Sequence, residues 1–593
     1  MCRFRWVECQ LRPLRLCPRS ERRLDICLRA LPKSLDETYE RILYSIESRE
    51  EAQQLLSLLY FAARPLSVGE VTEALAVNID DLECYHPGRR FIGGVDNVLR
   101  ICPGLIEISL RADGIQEIRI EHFSVREYLL SDRIRKGRAA DFALLGPPQH
   151  RRISKACLLY LKHNEFLQQT LTPDLVRQYA FARYAAEHWY YHYRQADSQF
   201  ARPLSEMVGT FLTTRCTKEH WIRLHDPELS SSTDVKYHKF AENPPSATYY
   251  ASLLGLDEVL VFILSMSAAD VNASGGRYAS YGSALQAASI GGYESVVQIL
   301  LDKGANVNAS GGYWGNALCA ASAGGYESVV QILLDKGADV NAQGGLYGNA
   351  LQVASAHGHE KVVHMLLDNG ADVNAQGGRY ANALQVASIR GYESVVLILL
   401  DKGADVNAQR GYYGNALYAA SVNGHNEVVQ MLLDKGAVDV NAQGDEYGNA
   451  LQAARANGYK EVVQILLDKG ADVNAQGGRY GSALQAASAN GYKEAASAGG
   501  YKSVVQRLLD KGADVNATGG YWGNALQAVS AGGYESVVQI LLDKGVDVNA
   551  QGGVYGNALR AASALGHEKV VQILLDKGAV DVNAQGGEYG NAH

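Results

Sequence analysis

Two short stretches place chemically capable residues at suggestive spacing. In AEHWYYHY, Glu187, His188 and His192 put two imidazoles four positions apart on one helix face, a spacing at which a zinc ion can take two ligands. The order is not His-Glu-x-x-His, and the intervening Trp189, Tyr190 and Tyr191 point to helix packing, so no metal is expected there. In AHGHEKVVH, His357, His359 and His364 form a second cluster, but His567 recurs in the position of His359, which marks a repeated structural turn. Neither a Gly-x-Ser-x-Gly elbow nor a phosphate-cradling Gly-x4-Gly-Lys-Ser/Thr loop occurs. The expectation is therefore no catalytic residue, no cofactor and no metal. Nine cysteines, eight of them before residue 217 and none in a Cys-x-x-Cys pair, read as reduced thiols of a cytoplasmic or nuclear protein.

The elements that would position any site are set by repetition. GGYWGNALCAASAGGYESVVQILLDKGADVNAQ, residues 311–343, returns almost letter for letter at 519–551. Val-Asn recurs with Asn at 272, 308, 341, 374, 407, 441, 474, 516, 549 and 583, mostly 33 residues apart. Asn316 stands where a side-chain oxygen can cap the first turn of a short helix, a contribution of about 0.5–2 kcal/mol. Gly324-Gly325 ends that helix, and ESVVQILLDKG makes a second one whose Val329, Val330, Leu333 and Leu334 share a face. Gly337 after Lys336 suits a left-handed C-terminal cap, and ADVNAQGG is an extended arm.

The pattern GHEKVVHMLLDNGADVNA at 358–375 and its sisters resemble ankyrin repeats, about ten of them over 246–585. The expected fold class is mainly α: an ankyrin-repeat solenoid of helix-turn-helix plus β-hairpin units, preceded by a winged-helix and helical domain. The family's usual Thr-Pro-Leu-His at the first helix is replaced by Asn349-Ala350-Leu351-Gln352, in which Asn still caps and Gln keeps a donor and an acceptor. The resemblance implies that each Val-Asn asparagine ties adjacent hairpins together. The degenerate unit 246–274 reads as the N-terminal cap of the array, and 586–593 as the truncated start of a further repeat. AASANGYKE at 486–494 is followed directly by AASAGGYKS, so the repeat at 481–518 holds nine extra residues. Stacking requires them to be extruded, near Gly491 to Gly500.

In the first half, LPKSLDETYERIL, the helix-turn-helix SREEAQQLLSLLYFAARPLSVGEVTEALAV and a hairpin about Asp113-Gly114 spell a winged helix. Its second helix carries Glu70 and Glu73 and no cation, which argues against DNA readout. FRWVECQL, LPKSLDETYERIL, HFSVREYLL and RYAAEHWYYHYR resemble the region after the nucleotide-binding core of fungal NACHT-type (NLR-like) signalling ATPases, whose winged helix is shared with GPI inositol-deacylase. The resemblance gives 1–34 as the end of an ATPase core, 35–135 as the winged helix and 136–245 as a helical connector. It also implies a nucleotide-facing role for His122, which the missing phosphate loop turns into plain packing. The Arg-rich start resembles a transit peptide, but Glu8, Glu21 and Asp25 interrupt it and favour an amphipathic helix.

Residues 282–585 hold 20 Lys and Arg against 28 Asp and Glu, a balance of −8 that equals that of the whole chain. An acidic array disfavours nucleic acid, and no apolar run of about 18 residues offers a membrane span. The expected partner is a protein. Within the hairpin GGxYG the frame barely changes while x reads Tyr313, Leu346, Arg379, Tyr412, Glu446, Arg479, Tyr521, Val554 and Glu588. Together with the adjacent Trp314, Tyr413 and Trp522, these residues are the expected binding edge. The function expected is a non-catalytic interaction scaffold, the ligand-sensing or adaptor part of an NLR-like signalling protein. The alternatives are a regulatory subunit of an NTP-driven switch with its ATPase supplied in trans, and a non-functional fragment.

Overall fold

Ser34 starts the first described helix: its hydroxyl accepts from the Glu37 amide at 3.2 Å, and α1 runs Leu35–Tyr44. The chain continues through α2 (Arg49–Phe61), β1 (Leu66–Ser67) and α3 (Val68–Leu75). Ser67 and Glu70 cap α3 reciprocally, a capping box that fixes the strand-to-helix turn. After α4 (Val95–Ile101), β2 (Ile106–Leu110) and β3 (Gln116–Ile120) pair antiparallel with Ile106 opposite Ile120 and Ile108 opposite Ile118. The turn between them passes through Gly114 at φ +84°, and β1 joins on the other side of β3 to give the order β1-β3-β2. Helix α5 (Phe123–Leu130) follows, so the expected helices-plus-hairpin arrangement is present. The computed structural model describes residues 31–80, 85, 95–196, 202–228, 245–266, 269–275, 281–379, 381–435, 438–444, 446–489 and 498–579, in two compact units, 1–280 and 281–593.

The acids of α3 face inward. Glu70 takes two hydrogen bonds from the Arg64 guanidinium, at 2.6 and 3.1 Å, and Glu73 accepts at 2.6 Å from both Tyr85 and Tyr160. The two carboxylates of α3 are thus engaged by side chains of this unit. Behind it, α6 (Gly146–Leu161) packs along α7 (Phe181–Arg194), with α8 (Arg202–Thr213) and α9 (Arg215–Leu224) beyond. Trp189 and Trp221 are fully buried, edge to face at 5.6 Å, and the Trp221 indole donates to the Ala186 carbonyl at 3.0 Å. The helix pair Ala247–Leu253 and Asp257–Leu264 completes this unit.

The second unit is built by the repeat. Asn316 accepts from the Cys319 amide at 2.8 Å to start helix Ala317–Gly324, and Gly325 at φ +71° ends it. In the following helix, Glu327–Asp335, Val329, Val330 and Leu333 are fully buried while Leu334 is only half-buried. Each fully buried Val or Leu contributes roughly 1.5–3 kcal/mol relative to an exposed one. The Val-Asn asparagines do tie repeats together, but to the turn after the next second helix: Asn308 donates to the Gly337 carbonyl at 3.2 Å and accepts from the Asp339 amide at 2.8 Å. Lysines and aspartates add a ladder along the second helices, as in Lys336–Asp302, Lys402–Asp368 and Lys435–Asp401 at 2.7–2.8 Å.

The long repeat keeps this register. Asn474 reaches the Gly512 carbonyl and the Asp514 amide at 3.0 and 2.7 Å, the same tie as elsewhere, and Val504, Val505 and Leu508 are buried. The expected extrusion over 491–500 is corrected at one end: helix Ala498–Asp510 has 13 residues where Glu327–Asp335 has 9, so residues 498–500 are helical. Residues 490–497 lie outside the described residues, as do the proposed ATPase remnant up to residue 30, the terminal segment 586–593 and Glu588 within it.

Candidate interaction surface

In all but one of the hairpins the residue before x is glycine, the exception being Asp445 before Glu446. Gly345 sits at φ +67°, and a Cβ there would lie 2.5 Å from the Trp314 carbonyl carbon and 2.6 Å from the Tyr313 oxygen. Only glycine lets one hairpin lie this close to the last. The closeness has a result that the repeat pattern alone did not reveal: the x residues are joined to each other. The Leu346 amide donates to the Tyr313 carbonyl at 3.2 Å and Arg379 to Leu346 at 3.0 Å. Farther along, Arg479 donates to Glu446 at 2.8 Å, Tyr521 to Arg479 at 2.9 Å and Val554 to Tyr521 at 3.3 Å. Backbone groups hold the column from Tyr313 to Arg379 and from Glu446 to Val554, and the side chains are left outward.

Tyr313, Tyr412 and Tyr521 are 49%, 55% and 41% exposed. Leu346, Arg379, Glu446 and Arg479 are exposed and Val554 is half-buried. The Arg379 guanidinium lies over the Tyr412 ring at 5.9 Å, and that of Arg479 over Tyr521 at 5.6 Å, while Arg479 also pairs with Glu446 at 3.5 Å. The residues after x have a different part. Trp314 stacks on Tyr347 at 6.0 Å, Tyr447 on Tyr480 at 5.8 Å and Trp522 on Tyr555 at 6.0 Å, each within 14° of parallel. Trp314 and Trp522 therefore hold hairpins together, and Tyr413 packs edge-on against Tyr412.

Beneath the hairpins the glutamine of Ala-Leu-Gln is an inter-repeat staple. Gln352, 2% exposed, accepts from its capping partner Asn349 and donates to the Ala381 carbonyl of the next hairpin at 2.7 Å; Gln286, Gln452, Gln485 and Gln527 do the same in their own repeats, and Gln385 makes the donation to the Gly414 carbonyl. In three repeats the position holds Cys319, Tyr418 and Arg560 instead. Burial pushes the Cys319 thiol up to about 12, so it is an inert packing group.

The histidine clusters resolve into separate roles. His359, His425 and His567 each bond through Nε2 to a carbonyl of the preceding repeat, those of Ala323, Ile389 and Ala531, at 2.9–3.0 Å. His357 bonds the Val353 carbonyl and packs on Trp314 and Tyr347, and His364 is exposed on the following helix. In the first unit Glu187 pairs with Arg183 at 2.9 Å, and His192 is fully buried. Its Nδ1 lies 2.8 Å from Nδ1 of His150 and its Nε2 2.9 Å from the Tyr184 hydroxyl. Burial lowers His188 to about 4 and His192 to about 3, and also lowers His150. Residues 42 positions apart left no sequence signal for this pair. His122 caps α5, its Nδ1 accepting from the Ser124 amide at 3.2 Å with the ring against Phe123 at 4.4 Å. Among the described residues no three metal-ligating side chains converge, and no helix is long and apolar enough to cross a membrane.

Comparison with known proteins agrees with these elements. A model of the GPI inositol-deacylase winged helix domain matches residues 39–145. A model of ankyrin repeats matches 248–344, 285–377, 344–410, 384–477 and 480–586. A curated relative, azaphilone pigments biosynthesis cluster protein L of Monascus ruber, is 39% identical over 306 residues, which are 49% of this chain; the match spans 63% of that protein's length. Among solved structures, the human ASB11 ankyrin repeat domain has 28% identity, covering 39% of this chain and 98% of that one with a TM-score of 0.34. With ankyrin-repeat models matched over more than half its length, the chain belongs to the ankyrin-repeat family and carries a winged helix of the GPI inositol-deacylase type ahead of the repeats.

Proposed function

We propose that the chain is a non-catalytic scaffold that binds a protein partner along its hairpin tips and the concave face beside them. The observation that carries this reading is the x column: its backbones are hydrogen-bonded from Tyr313 to Arg379 and again from Glu446 to Val554, while its side chains change from Tyr to Leu, Arg, Glu and Val and most stand in solvent. A fixed frame with variable exposed chemistry can distinguish partners, and Tyr and Arg are the side chains that most often anchor interfaces. The acidic balance of the array supports a protein ligand over nucleic acid.

In this reading the segments 35–135 and 136–245 connect the array to the rest of an NLR-like signalling protein of the cytoplasm, as the resemblance of HFSVREYLL and RYAAEHWYYHYR implies. The capping role of His122 supports a structural rather than nucleotide-facing winged helix. Affinity capture with the full chain, repeated with Tyr313, Arg379, Tyr412 and Arg479 all changed to Ala, tests the proposal. Loss of a captured protein with the array still folded supports it; identical capture by both chains refutes it.

A further inference from the structure

The x column has an order within its variety. Reading along the array gives Tyr313, Leu346, Arg379, then Tyr412, Glu446, Arg479, then Tyr521 and Val554: tyrosine opens each group of three and arginine closes the first two. The tetrapeptide GGRY, at 377–380 and 477–480, stands also at 275–278, ahead of Tyr313. The geometry makes chemical sense of the order. An arginine closing one group meets the tyrosine opening the next, and both described cases are guanidinium-over-ring pairs, Arg379 on Tyr412 and Arg479 on Tyr521. The same two-residue station is thus built twice, three repeats apart, on one edge.

Resting on the tip reading above, we infer that these two stations bind one extended acidic segment of a partner protein, each taking a carboxylate. A guanidinium lying over an aromatic ring is held in orientation and keeps its N–H edge available, the geometry that a carboxylate accepts bidentately. The ring supplies an apolar floor for the side chain beside that carboxylate. Neighbouring repeats packed at helix distances of 8–10 Å set the stations about 24–30 Å apart, which an extended chain crosses in about seven to nine residues. On either side of Tyr412 the column's backbone is engaged in its own ladder, so recognition there falls to side chains and not to an added strand. A nucleic acid would present a phosphate every few ångströms to an array carrying 28 acids against 20 bases. Two isolated carboxylates meet cations at the stations, and Glu446 is the one column residue that stands between them. The stations are unequal: Glu446 contacts Arg479 at 3.5 Å and competes for it.

Rigid peptides test the spacing. Fluorescein-labelled Phe-Glu-(Pro)n-Phe-Glu with n of 3, 7 and 12, and a single Phe-Glu control, are titrated into the full chain and followed by polarisation. At about 3.1 Å per proline the middle length spans the stations. It should bind at least fivefold tighter than the others, and Arg379→Ala or Arg479→Ala should abolish that advantage without moving the melting temperature. Glu446→Gln should tighten it about twofold. Equal affinity at all lengths, no measurable binding of any peptide, or an optimum that survives both arginine changes overturns the inference. If the fourfold alanine variant still loses a captured protein while the peptides show no optimum, the tip reading stands and only the paired-station inference falls.

Discussion

Individual residues of this chain do their work through hydrogen bonds that cross from one repeat to the next. The glutamine staple satisfies hairpin carbonyls from within, and the repeat that begins with Asn316 lacks it, having Cys319 in its place. Cys319→Gln is therefore expected to raise stability by about 0.5–1.5 kcal/mol, the usual net worth of a hydrogen bond, read from the urea midpoint; an unchanged or lowered midpoint would remove the staple from the account. His192 carries a sign that can be worked out. Its folded-state affinity for protons is pushed far below that of an unfolded histidine, so between pH 6.5 and about 3 the unfolded chain binds the extra proton. Stability is lost as pH falls through this window, by about 1.4 kcal/mol per unit for each such group. His192→Asn should make the pH dependence of stability between 6 and 4.5 shallower by close to one proton; an unaltered slope would contradict the buried neutral state. At His122, the Nδ1 bond to the Ser124 amide and the absence of a phosphate loop in the sequence lead to the same expectation, no micromolar ATP binding by calorimetry.

At the level of elements, the repeat at 481–518 is the one place where nine residues must be absorbed without losing register, and the tie from Asn474 to Gly512 and Asp514 shows register kept. Deleting 486–494 should leave thermal stability unchanged or higher and remove the first tryptic cleavage, expected at Lys493; early cleavage persisting in the same segment after deletion would contradict extrusion. Helices and caps were legible in the sequence because their causes are local: Asn316 three residues before the amide it caps, Gly337 at the end of a helix, Ser67 and Glu70 as a capping box. The acids of α3 were visible, but not that Glu73 would be held by Tyr85 and Tyr160, since those partners come from elsewhere in the chain. The tip residues were found by comparing repeats. That Trp314 and Trp522 stack between hairpins, while Arg379 and Arg479 lie over the next tyrosine, needed the side-chain directions that only three-dimensional packing sets.

Across the whole molecule, the repeats separate two tasks that share one sequence. Buried Val and Leu, Asn ties and Lys–Asp rungs vary little and supply the frame; in the function proposed above, the varying x column supplies identity. Removing exposed x side chains should cost little stability, since surface changes fall mostly within about 0.5 kcal/mol each. The most direct measurement is the affinity of the captured partner for the chain in which Tyr313, Arg379, Tyr412 and Arg479 are all Ala, taken beside its thermal melt. The account expects at least a tenfold weaker complex, about 1.4 kcal/mol, with a melting temperature close to that of the parent chain; full affinity in a folded variant would contradict it.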